Sequence, residues 1–94
     1  MYLIMLQYVK PISAIQHYLT SHKEFLAKYC QSGHFLICGD KKPRTGDLII
    51  CKANSRKEIE TILREDPFDQ YQLAFYEVIE FLPDQVLPEL KKFL

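Results

Sequence analysis

The sequence predicts an α+β domain of the ferredoxin-like type, in which a βαββαβ chain forms a four-stranded antiparallel sheet with two helices on one face. Three observations carry this expectation. Short strand-like runs and helix-period runs alternate in the order strand, helix, strand, strand, helix, strand. The length of 94 residues accommodates one domain and no second. The composition, 48% hydrophobic and 26% charged, is that of a chain that folds rather than a disordered one.

Each element has a local cause. Tyr2 to Val9 is rich in aliphatic and aromatic residues and is stopped by Lys10-Pro11, as expected of a strand. Ile15, Tyr18, Leu19, His22, Phe25, Leu26, Tyr29 and Cys30 recur at three- and four-residue steps. That periodicity predicts an amphipathic helix over 13–32 ending at Ser32-Gly33, with a kink or restart at Thr20-Ser21. Phe35 to Gly39 and Leu48 to Ala53 are strands joined by the polar hairpin 41–46. Ser55 and Glu58 have capping-box spacing ahead of Ile59, Ile62 and Leu63, so a second helix starts there and stops before Pro67. Asp66 marks that boundary, Pro67 opens a further turn, and Leu73 to Phe81 supplies the last strand. Residues 1–82 thus form the domain. Residues 83–94 form a tail whose Leu87, Leu90 and Leu94 have helical spacing, too short to be stable without something to dock on.

Right-handed crossovers put both helices on one face and leave the other uncovered. The strands beginning at Tyr2 and Leu48 are apolar on both sides, however, which suits a sheet buried twice. The economical cover is a second copy packed sheet to sheet, so a homodimer is expected.

Charge narrows the function. Twelve Lys and Arg balance twelve Asp and Glu, so no basic field exists for nucleic acid or anionic lipid. The apolar start, Met1 to Leu6, turns polar too soon for a signal peptide or membrane span, and a cytoplasmic protein is expected. Cys30, Cys38 and Cys51 lack metal-site spacing and read as reduced core residues. His17 and His22 lie about 140° apart around a helix, which argues against a metal site. No cofactor is indicated.

Two side chains carry candidate chemistry. His22 replaces an aliphatic residue on the inward helical stripe. It is either a core histidine bonded to backbone or neighbours, or an acid-base group whose reference pKa of ~6.5 lies near operating pH. Asp66 is either a helix cap or the carboxylate that fixes and charge-stabilises an imidazole. Arg44, in the basic hairpin with Lys41 and Lys42, is either solvated or a clamp for an acidic substrate.

With these residues in view, the chain resembles the YciI-like (YCII-related) family, part of the dimeric α/β-barrel group. The likeness rests on Tyr2 to Tyr8, His22 with Phe25-Leu26, Gly33 with Phe35-Leu36, and Gly39. It extends through Pro43-Arg44-Thr45-Gly46, Asp66-Pro67-Phe68 and Tyr76 to Phe81. The resemblance implies a cleft with a catalytic or ligand-binding histidine–aspartate pair, which maps onto His22 and Asp66. Arg44, Tyr8, Gly39 and Phe68 are the expected substrate-binding neighbours. Lyase-type elimination has been linked to the family, although most members have no assigned reaction. Asp40 stands where relatives usually have proline, and Asp47 and Gln72 where many have glycine. The reading is a metal-independent lyase- or isomerase-like enzyme acting on a small anionic or aromatic molecule. The alternative is a noncatalytic dimeric binding or interaction module.

Overall fold

The computed structural model describes residues 1–94. Strand β1 spans Tyr2–Tyr8, α1 Ile12–His17, α2 Leu19–Gln31, β2 Phe35–Asp40 and β3 Gly46–Cys51. Helix α3 spans Arg56–Leu63, α4 Pro67–Gln70 and β4 Ala74–Glu80, and a 3-10 helix covers Pro88–Phe93. The sheet order is β2-β3-β1-β4 with every pair antiparallel, the predicted ferredoxin-like topology.

Alternation along the strands sorts the side chains. Tyr2, Ile4 and Leu6 of β1 and Ile49 and Cys51 of β3 are buried on the side the helices cover. There they meet Ile15, Phe25, Tyr29, Phe35, Ile59 and Phe68. A fully buried Ile or Leu contributes about 1.5–3 kcal/mol, so this layer is the main source of stability. The opposite face keeps Ile37, Leu48, Phe75 and Ile79 exposed. The tail lies over one end of that face. An apolar groove of about 350 Å³ separates Leu87, Leu90, Phe93 and Leu94 from Leu36, Ile37 and Ile50.

Several boundaries differ from the sequence reading. The long helix breaks at Tyr18, two residues before Thr20-Ser21, where φ −108° and ψ 10° leave the helical region. The Tyr18 ring stacks on Tyr71, centroids 4.3 Å apart, a tertiary contact that local periodicity does not encode. Strand β3 begins at Gly46 rather than Leu48, because the polar Asp47 continues the ladder opposite Leu6 and Asp40. The helical spacing of the tail takes the form of a 3-10 helix with no buried residue. Cys51 is buried, but Cys38 is only partly so and Cys30 is exposed, since the inward stripe of α2 ends at Tyr29.

Other local signals act as expected. The Ser55 side chain accepts from the Glu58 backbone N–H at 3.2 Å, while Glu58 reaches back to Asn54 N. Gly33, at φ +88°, follows α2 in the left-handed conformation that suits glycine. Gln72 adopts φ +54°, in the left-handed region that costs a side chain more than glycine.

Candidate functional site

The site is assembled from three elements that the fold brings together above β3. His22 sits in the first turns of α2, Asp66 at the start of α4, and Asp47 in β3. All three are buried: His22 is 1% exposed, Asp66 0% and Asp47 3%. Burial at this level demands partners, and each has them. His22 Nδ1 lies 2.8 Å from Asp66 Oδ1, and His22 Nε2 lies 2.7 Å from Asp47 Oδ2. The imidazole is thus held between two carboxylates.

Asp66 is placed by its own backbone role. Its extended conformation precedes Pro67, and Oδ1 accepts the Phe68 N–H at 3.0 Å, which caps α4. Its other oxygen, Oδ2, accepts from the Tyr76 hydroxyl on β4. The capping and pairing readings therefore hold together, because one carboxylate has enough lone pairs for both. Asp47 is placed by strand alternation, on the same face as Ile49 and Cys51, and its Oδ1 receives the Tyr8 hydroxyl at 3.4 Å.

The ring of Phe68 lies flat against the imidazole, 3.9 Å between centroids and 4° between planes. A cation on an aromatic face gains about 0.5–2 kcal/mol, so this packing favours the protonated ring. Burial alone is the largest influence on His22 and pushes its pKa down. The hydrogen bonds to Asp47 and Asp66, with their charges, outweigh it and raise the pKa from 6.5 to about 9. Near neutral pH the site holds an imidazolium donating from both nitrogens. Asp47 shows the complement: burial works to raise its pKa, but the bond and charge of His22 hold it below the ordinary 3.8. Burial, the Asp66 charge and the bond to Asp66 raise the Tyr76 phenol far above its usual 10.0, so that hydroxyl is a fixed donor.

A small cavity of about 120 Å³ reaches the cluster from the β2 side. His22, Asp47, Asp40, Gly39, Lys23 and Cys38 line it, with Leu19 and Leu26. Of the expected substrate neighbours, only Gly39 belongs to this wall. Phe68 is fully buried behind the imidazole and is a packing partner. Tyr8 is half-buried, edge-on to Phe68 at 5.8 Å, and reaches the cluster through Asp47. Arg44 lies off the cavity lining, with its Nε shielded and without a hydrogen-bond partner. It opposes the rise that burial and Asp47 impose on the Tyr8 phenol. His17 and His34 stand apart from the cluster, and no group of His, Cys, Asp and Glu has an arrangement that would hold a metal ion.

Asp47 figures in the sequence reading only as a departure from the family pattern, and its pairing with His22 is what that reading lacks. A hairpin over 41–46 and a strand from Leu48 assign Asp47 to neither element. A signal existed: Asp47 has the parity of Ile49 and Cys51, so extending the strand by two residues turns its carboxylate toward the helices.

Comparison with known proteins agrees with this architecture. Residues 1–82 match the family described as the YCII-related domain. Among solved structures, the chain is similar to 5-chloro-2-hydroxyhydroquinone dehydrochlorinase (TftG) from Burkholderia phenoliruptrix AC1100, determined in complex with 2,5-dihydroxybenzoquinone. The TM-score is 0.72 at 18% identity, covering 87% of this chain and 94% of that one, which is a likeness of fold. No curated protein sequence matches the chain. No helix is long and apolar enough to cross a membrane.

Proposed function

This chain belongs to the YCII-related domain family, and on that premise we propose that it is a small-molecule enzyme of lyase or isomerase type, with His22 as the proton donor. The observation that carries the proposal is the imidazole clamped between Asp66 and Asp47 at the edge of a cavity. An elimination or isomerisation must remove a proton from one atom and deliver one to another. Adjacent groups whose pKa values are driven apart suit that division. His22, raised to about 9, is charged and able to donate; Asp47, held below 3.8, is ionised and able to accept. Asp66 keeps the Nδ1 proton in place, so Nε2 is the nitrogen that gives its proton toward the cavity. The proton leaves Nε2 for the substrate's leaving or rearranging atom, and Asp47 takes one from the substrate.

Cavity size bears on the substrate. At about 120 Å³ it is smaller than the ~150 Å³ known to enclose benzene, so it admits a substituent or ring edge with the remainder at the mouth. A hydroxylated six-membered ring compound meets both limits, and the structural neighbour was determined with one, 2,5-dihydroxybenzoquinone. Lys23 and the imidazolium supply positive charge for an anionic form, and backbone at Gly39 allows close approach. Residues 1–82 are the functional domain in this reading, and residues 83–94 an appendage.

The proposed working unit is a homodimer. The open sheet face carries Ile37, Leu48, Phe75 and Ile79, and a second copy covers it most economically.

One observation favours a second reading, a noncatalytic ligand-binding module: the three buried groups satisfy one another completely, as a purely structural cluster would. Turnover separates the two. Screening hydroxylated and chlorinated aromatic acids and phenols should find a substrate whose turnover falls at least ~100-fold in His22→Gln. The rate should decline as pH rises through about 9, where the donor loses its proton. A substrate turned over equally well by His22→Gln would refute the donor role; binding without turnover would select the module.

A further inference from the structure

We infer that Cys30 and Cys38 form a reversible disulfide that moves one wall of the His22 cavity. The two Sγ atoms are 3.7 Å apart, at van der Waals contact, although the residues belong to different elements and lie eight positions apart. Cys30 is in the last turn of α2 and Cys38 in β2, joined through the left-handed turn at Gly33. A disulfide requires ~2.05 Å between sulfurs, so closure needs an approach of less than two ångströms, within reach of side-chain rotation. Exposure supplies the asymmetry that exchange chemistry needs. Cys30 is open to solvent, Cys38 is half-buried, and Cys51 is buried on another strand.

With glutathione disulfide as oxidant, the Cys30 thiolate attacks one glutathione sulfur. A Cys30–glutathione bond forms, the oxidant's S–S bond breaks, and one glutathione thiolate departs. The Cys38 thiolate then attacks Cys30 Sγ, forming the internal bond and expelling the second glutathione. The two cysteines are oxidised and one glutathione disulfide is reduced to two thiols, with both cysteine protons taken up by thiolate or solvent. Burial, with the bond and charge of Cys30, holds the Cys38 thiol up at about 12, so the second step is slow and accelerates with pH. The short loop adds little closure entropy to the product, so a reducing environment reopens it. Cys38 lines the cavity beside His22, Gly39 and Asp47, and drawing its sulfur toward Cys30 changes that lining.

The test treats the whole chain with excess glutathione disulfide at pH 8.5 and digests it with trypsin after blocking free thiols. Cys30 and Cys38 share the peptide 29–41, whereas Cys51 falls in 45–52. The expected product is peptide 29–41 lighter by two hydrogen atoms, with Cys51 blocked, restored by dithiothreitol and absent in Cys30→Ser. A mixed disulfide that persists on Cys30, or a cross-link to Cys51, would overturn the pairing. In parallel, the His22 ring resonances should shift on oxidation in the wild type and stay fixed in Cys30→Ser. A disulfide that leaves them unmoved would overturn the link to the cavity.

Discussion

Replacing Asp47 with Asn tests the electrostatics of the site most directly. Amide for carboxylate keeps the shape of the side chain and removes one of the two charges that hold the His22 proton. In the native chain the imidazole pKa stands about 2.5 pH units above its ordinary 6.5. Burial opposes that rise, so the two carboxylates together contribute more than the net displacement. If they share the work equally, losing one lowers the pKa by more than about 1.2 pH units, to below about 8. Direct observation of the imidazole nitrogens by NMR across a pH titration measures this, with Asp66→Asn as the matched comparison. The same displacement is linked to folding. A raised folded-state pKa adds stability that is complete below 6.5 and is lost as pH climbs through about 9. At ~1.4 kcal/mol per pH unit, the full contribution is roughly 3 kcal/mol, and urea denaturation at pH 6 and pH 9.5 should differ by about that much. Asp47→Asn should lose more than half of the difference. A native His22 that titrates at or below 6.5, or an Asp47→Asn protein with unchanged titration, would refute the clamped-imidazolium account.

Two further outcomes follow from packing. In Gly46→Ala the new Cβ would stand 1.7 Å from the Leu6 carbonyl oxygen, so β1 and β3 must separate beside Asp47. A loss of at least about 3 kcal/mol in denaturant unfolding is expected, and a near-native midpoint would show that the strands part without penalty. Leu48→Lys places a charge in the middle of the open sheet face while leaving the helix-covered core untouched. Sedimentation at micromolar concentration should find a dimer in the native protein and a folded monomer in the variant; a monomeric native protein would remove the dimer from the proposed function.

Much of this architecture was legible because its causes are local. The doubly apolar Tyr2 strand, the Ser55 cap, the Asp66-Pro67 boundary and the Gly33 stop each depend on neighbouring residues, and each stands where the sequence puts it. The meeting of His22 with Asp66, 44 positions apart, was reachable only through family resemblance, since spacing says nothing about a contact between elements. Asp47's bond to His22 was not legible, because Asp47 lies between the hairpin and the strand that local pattern defines. Its place in the ladder is decided by pairing with Leu6 and by the charge of His22, both distant in sequence. Tyr18 and Tyr76 are similar cases. Their hydroxyl and ring partners lie on other elements, so nothing within a helical turn or a strand repeat announces them. Arg44 is a candidate for the substrate on the chemistry of its guanidinium, and Phe68 as an apolar neighbour of the pair. The structure puts one away from the cavity and the other behind the imidazole because hairpin direction and core packing are three-dimensional outcomes.

Asp66 begins a helical turn with the same oxygen that holds the histidine. In most folds a scaffold and the chemistry it carries are separable, and one can drift while the other is kept. Here they share an atom. A lineage that abandoned this imidazole would still need the carboxylate to start α4, and one that abandoned the carboxylate would unmoor Phe68 together with the ring stacked on it. The pair is therefore expected to outlast any particular substrate, as an heirloom of folding first and of reactivity second.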